Sequence, residues 1–109
     1  MGDRIAFTIG SDNVFADLGL PEPDIRLVKA ELTHRIDTLI DERRWTKTEA
    51  AQVLGIDQSD LSLLLRGRLS EFSLERLFRF LNALDYNVEI TIRANPSPER
   101  AARVTMTAD

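Results

Sequence analysis

Residues 50–67 read AAQVLGIDQSDLSLLLRG. Gly55 divides this stretch. Before it, Ala50, Ala51 and Leu54 fall on one helical face, and after it Leu61, Leu64 and Leu65 fall on another. Two short helices that cross closely need a small residue at the crossing, a glycine in the turn and apolar inner faces. Ala51, Gly55 and Leu61 fill these places at spacings of four and six, with Ile56 packing after the turn. The stretch therefore predicts a helix-turn-helix, whose second helix can enter a DNA groove. Yet that helix opens with Asp57 and Asp60, in a chain of net charge -4. What the acid is for must be answered along with what the helices are for.

Local signals support the helix boundaries. Thr46 followed by Glu49 is a capping box, which starts the second helix of the chain at Lys47 and carries it to Leu54. Gly55 supplies the left-handed residue after it. Asp57 can cap the third helix by accepting a backbone N–H from its first turn, so it points at its own backbone and not at DNA. Gly67 ends this helix, and Ser73 caps the fourth, with Phe72 and Leu77 placed as a hydrophobic staple. The fourth helix has an apolar arc of Leu74, Leu77, Phe78, Phe80, Leu81 and Leu84. One core face needs less, so part of the arc, at Phe80 and Leu84, is expected to face a second subunit.

Upstream, Ile25, Val28, Leu32, Ile36, Leu39 and Ile40 form one stripe, predicting a first helix from Asp24 to about Arg44. Pro23 and Asp24 suit its first turn. His34 lies opposite the stripe and reads as solvated, as do Asp37 and Asp41. Farther upstream, RIAFTI (4–9) alternates like a short strand, and the turn-rich run after it carries Val14, Phe15 and Leu18. Downstream, Val88, Ile90 and Ile92 alternate with polar residues in 87–93, predicting a strand with one buried face. A lone strand must find a partner. RIAFTI of the same chain and the same strand of a twofold mate are both candidates. Residues 94–109 have no usable period and are expected to lack order.

Composition bounds the function. A chain of 109 residues is one domain of ordinary size. It has no cysteine, which removes disulfides and thiolate metal sites and fits a reducing compartment. One histidine, no cysteine and no phosphate-cradling glycine loop leave no credible catalytic, metal or cofactor site, so no enzyme is expected. Neither a signal peptide nor a membrane span is evident, and a cytoplasmic protein is the expectation. The charge is divided. Residues 1–42 carry four basic and nine acidic side chains, whereas residues 43–68 carry five basic and three acidic. The remainder carries five and six. The only positive segment is the one with the helix pair.

With Leu61, Leu64 and Leu65 turned inward, the helical wheel turns Ser59, Ser62, Leu63 and Arg66 outward, with Gln58 at the exposed end. Gln58 can pair bidentately with adenine, the serines suit base edges or phosphate, and Leu63 can meet a thymine methyl. Asp60 either accepts from a cytosine amino group, repels phosphate, or serves the first turn of its own helix. Phosphates are expected at Thr46 and Lys47, at Arg66 and Arg68, and at Ser73 and Arg76. Charge farther away than a Debye length of about 8 Å is screened, so the acidic total is no objection.

The run TKTEAAQVLGIDQSDLSLLLRGRLSEFSLERLFRFLNALDYNVEITI, with NVFADLGLP upstream, resembles the Cro/repressor-type (XRE) helix-turn-helix domain of HigA-type antitoxins. The likeness covers roughly residues 12–93. It implies an all-α, five-helix-type domain with one C-terminal strand pairing across a homodimer. It also implies a repressor of its own operator DNA that neutralises a HigB-type toxin, a small ribonuclease. Such a toxin must attract RNA phosphates, so its active face is positive, and the acidic N-terminal segment suits it, with Asp12, Phe15, Asp17 and Leu18 as candidate contacts. The chain then divides into an acidic arm (1–23), a DNA-binding and dimerisation domain (24–93) and a tail (94–109). Val88, Ile90 and Ile92 join Phe80 and Leu84 at the expected dimer interface. A stand-alone XRE-family repressor, with no toxin partner, accounts for the helix pair equally well.

Overall fold

The computed structural model describes residues 7–8 and 22–108. In chain order its elements are β1 (Phe7–Thr8), α1 (Pro23–Glu42), α2 (Lys47–Leu54), α3 (Gln58–Leu65), a 3-10 turn (Leu69–Glu71), α4 (Leu74–Ala83) and β2 (Thr107–Ala108). The fold is mostly helical. It comprises two units, one of residues 29–89 and one that joins the described residues before Lys29 to those after Glu89.

The apolar stripe read from the sequence becomes the core of the larger unit. Leu32, Ile36, Leu39 and Ile40 of α1 are buried, as are Ala50, Ala51 and Leu54 of α2 and Leu61 and Leu64 of α3. Phe72, Leu77, Phe80, Leu81 and Leu84 complete it. Each fully enclosed leucine or isoleucine contributes roughly 1.5–3 kcal/mol relative to exposure. His34, Asp37 and Asp41 lie on the exposed side of α1.

The helix ends are chemically complete. Thr46 Oγ1 accepts from the Glu49 N–H at 3.1 Å, and the Thr46 N–H donates to Glu49 Oε1 at 2.8 Å, closing the capping box. Gly55, at φ 73°, ends α2 with paired bonds: Ile56 N–H to Ala51 O and Gly55 N–H to Gln52 O. Gly67, also at φ 73°, repeats the device after α3, with Arg68 N–H donating to Leu63 O and Gly67 N–H to Leu64 O. Phe72 and Leu77, the pair expected to staple this end, are both buried beside the Ser73 cap. After α4 a third such turn is built on Asp85 at φ 71°, with Tyr86 N–H bonded to Leu81 O. Arg43 closes this end by donating from Nη2 to Leu84 O at 2.7 Å, a cation at the negative end of the helix dipole.

Two expectations differ from what is observed. Among the described residues there are four α-helices, and the only other helical piece is the single 3-10 turn at Leu69–Glu71. After α4 Asp85 turns left-handed and the β-branched alternation beyond it favours extended backbone. The described residues thus hold four of the five helices expected, and residues 9–21 lie outside them. Residues 87–93 run without a ladder, with Ile90 at 72% and Ile92 at 93% exposure. A strand is defined by its hydrogen-bonded neighbour, and none lies alongside within the described chain. The described part of RIAFTI does not supply one. Its Phe7–Thr8 pairs antiparallel with Thr107–Ala108 of the tail, Phe7 opposite Ala108 and Thr8 opposite Thr107. The rest of 4–9 lies outside the described residues. The tail also carries a local bond, Asn95 Nδ2 to Arg100 O at 2.7 Å, and a long-range one, Val104 N–H to Asp24 Oδ2 at 2.9 Å.

Candidate nucleic-acid interface

The burial of Leu61 and Leu64 fixes the rotation of α3, since residues three apart share a face. Gln58 and Ser59 are exposed at its start, Ser62 and Leu63 are half-buried along it, and Arg66 is exposed at its C-terminal cap. This is the outward set read from the helical wheel. Leu65, placed inward in that reading, is half-buried.

Gln58 does not wave freely. Its Nε2 donates to Thr48 Oγ1 at 2.8 Å, a bond from α3 back to the first turn of α2. A primary amide has two N–H donors and one carbonyl oxygen, so the bond consumes one donor and leaves the other with the oxygen. Those two remaining groups are what bidentate recognition of adenine requires. The sequence reading missed Thr48. A signal was present: Thr48 and Gln58 are polar residues on the first turns of two helices that the glycine turn brings together.

Both aspartates at the start of α3 have partners within the protein. Asp57 Oδ1 accepts from the Asp60 N–H at 2.7 Å, the cap expected of it. Asp60 Oδ2 accepts from Arg76 Nη2 at 3.0 Å, an ion pair whose side chains are 37% and 39% exposed respectively. A surface pair of this kind is worth about 0–1 kcal/mol after screening. The Arg76 guanidinium also lies 4.9 Å from the Phe72 ring centre and 5.6 Å from that of Phe80. Arg76 was expected at phosphate; the fold engages its charge with Asp60. The sequence spacing of 16 residues between the two gave no warning of this pairing.

Lys47 and Arg68 are exposed, at the first position of α2 and at the cap before the 3-10 turn. The Thr46 and Ser73 hydroxyls accept from the N–H groups of Glu49 and Arg76, and each keeps its own O–H for another acceptor. Phe80 and Leu84, expected to face a second subunit, are 3% and 0% exposed within this chain. Leu77, Phe80, Leu81 and Leu84 of the broad α4 arc are consumed by their own core, and Leu74 and Phe78 are half-buried. Val88 is half-buried, which leaves Ile90 and Ile92 as the exposed apolar pair of that set. Asp12, Phe15, Asp17 and Leu18 lie outside the described residues. Among the described residues no cluster of three or more histidine, cysteine or carboxylate groups is placed to hold a metal. No helix among the described residues is long and apolar enough to cross a membrane.

Comparison with known proteins gives the same picture. A family model described as a helix-turn-helix domain matches residues 14–93. A solved chain named as an XRE family transcriptional regulator is 40% identical and superposes with a TM-score of 0.75. The alignment covers 82% of this chain and 100% of that one. No curated protein matches.

Proposed function

We propose, given that the chain belongs to the XRE-type helix-turn-helix family, that it is a transcription regulator which reads duplex DNA through α3. The observation that carries this reading is the exposed amide of Gln58, held by Thr48 with one donor and one acceptor left over. Ser59, Ser62, Leu63 and Arg66 continue the base-facing edge. Lys47, Arg68 and the hydroxyls of Thr46 and Ser73 hold phosphates on either side and set the register. Gel shifts with the gene's own upstream DNA test the reading. Binding that weakens steeply with salt is expected; a folded protein that shifts no duplex at low salt overturns it.

The regulator acts as a homodimer. The support is the exposed Ile90 and Ile92 on extended backbone, a free edge that a second copy's 87–93 can pair. Such a dimer must set its two α3 helices about 34 Å apart to meet successive major grooves.

The finer reading is an antitoxin that represses its own operator and neutralises a HigB-type ribonuclease. Its support is the separation of charge: nine acidic and four basic side chains in residues 1–42, five basic and three acidic in residues 43–68. An acidic arm with Phe15 and Leu18 as anchors, flanked by Asp12 and Asp17, is complementary to a face built to attract RNA. Separate surfaces let toxin and DNA bind together. Truncation near Pro21, co-expressed with a small basic protein from the neighbouring gene, tests it: DNA binding is retained and growth rescue is lost. If the truncated chain still rescues growth, the arm is not the neutralising element. With no such neighbouring gene, the stand-alone repressor is the reading that remains.

A further inference from the structure

Arg76 is held at three points. Its backbone N–H donates to Ser73 Oγ at 3.2 Å, which anchors the first turn of α4. Its guanidinium lies against Phe72 and Phe80, which are buried and packed edge to face at 5.9 Å. Its Nη2 meets Asp60 Oδ2. The aromatic pair is part of the core and cannot move with a surface side chain, so the guanidinium occupies a prepared place. Asp60 stands two residues after Gln58, in the first turn of α3. Unpaired, its charge would sit among groups that approach phosphates.

We infer that Asp60 and Arg76 form a positioning pair for the reading helix, an inference that rests on the DNA-reading function proposed above. Arg76 is not a phosphate ligand. It neutralises Asp60, so that the acid at the start of α3 does not repel DNA. It also ties the N-terminal turn of α3 to the rigid Phe72–Phe80 platform, which sets the rotation at which Gln58 and Ser59 meet the bases. As a partly exposed pair it contributes little to folding, so its consequence is aim rather than stability. Sequence discrimination should therefore depend on it, and the count of phosphate contacts should not.

The test uses the full chain with two duplexes of equal length, one carrying the preferred site selected from random sequence and one scrambled. Arg76→Met keeps an unbranched stem that can lie on the rings and removes the guanidinium. It is expected to cut the preferred-to-scrambled affinity ratio about tenfold, the low end of one good base contact. Its slope of log K against log salt is expected to stay that of the wild type. Arg76→Lys keeps the charge and should recover part of the ratio. Asp60→Asn leaves the platform intact and frees the Arg76 charge, so scrambled binding should rise and the ratio fall. That variant keeps the test decisive if Arg76→Met folds poorly, as checked by circular dichroism. A slope shallower by about 0.9 in Arg76→Met makes Arg76 a phosphate ligand and overturns the inference. An unchanged ratio in both Arg76→Met and Asp60→Asn overturns it as well. If the wild type binds neither duplex at low salt, the DNA-reading function itself has failed, and that result is read from the wild type alone.

Discussion

The amide of Gln58 donates to the hydroxyl of Thr48 at 2.8 Å, joining the first turns of α3 and α2 across the glycine turn. The bond orients one end of the amide and, in the proposed function, leaves the other for a base. Removing Gln58 and removing Thr48 should thus have related but unequal effects. Gln58→Ala is expected to relax preference at one base pair by about 1–3 kcal/mol. Thr48→Val, which keeps the shape and loses the hydroxyl, should relax the same position by less and leave other positions alone. Selection of binding sites with each variant measures this, and relaxation at different positions breaks the link.

Arg68 is an exposed cation at the cap before the 3-10 turn. Its proposed contact is with phosphate, which carries no sequence information. Arg68→Ala should weaken preferred and scrambled duplexes alike, and make the log K against log salt slope shallower by about 0.9. A loss confined to the preferred site would move Arg68 among the base readers.

Gly55 sits at φ 73°, and a Cβ added there would meet nothing within 4 Å. The cost of Gly55→Ala is therefore backbone strain without a clash. Left-handed backbone costs an L residue about 1–2 kcal/mol, and the stiffer unfolded chain returns part of this. A net destabilisation of about 1 kcal/mol is expected in urea unfolding. Leu61→Ala, at a site with 0% exposure, should cost about 2–5 kcal/mol in the same measurement.

Asp85 is a non-glycine residue in the same backbone region, at φ 71°. Aspartate tolerates that conformation, whereas a β-branched residue does not. Asp85→Val should destabilise by about 1–2 kcal/mol, and Asp85→Gly should be near neutral or slightly stabilising. A stable Asp85→Val variant would mean that the turn after α4 is not needed in this form.

Ile90 and Ile92 are exposed on backbone that has no ladder partner among the described residues. Changing both to Asp should leave the helical unit folded and yield a monomer by sedimentation, with loss of tight binding to two-half-site DNA. A wild type that is monomeric at micromolar concentration rules the dimer out.

The helices, their caps and their turns were legible because each is set by residues within one turn of it. Thr46 with Glu49, Asp57, Ser73 and the two left-handed glycines act locally, and the 3.6-residue period of the leucines chose the buried face of α3. The exposed and half-buried set proposed to face the bases followed from that face alone. Other features depended on where the helices pack. The pairing of Asp60 with Arg76 joins residues 16 apart, and nothing in either local sequence foretells it. The breadth of the α4 arc was read as room for a second subunit, yet Phe80 and Leu84 are enclosed by their own chain. An apolar residue announces in sequence that it will be buried, but not by what. Likewise the alternation in 87–93 announces a preference for extended backbone, whereas a strand exists only once another backbone lies beside it. Local sequence determined the helices and the face of α3 that is left outward. Only the tertiary arrangement decided which charges neutralise each other, which apolar groups were already spent, and which extended backbone has no ladder partner among the described residues.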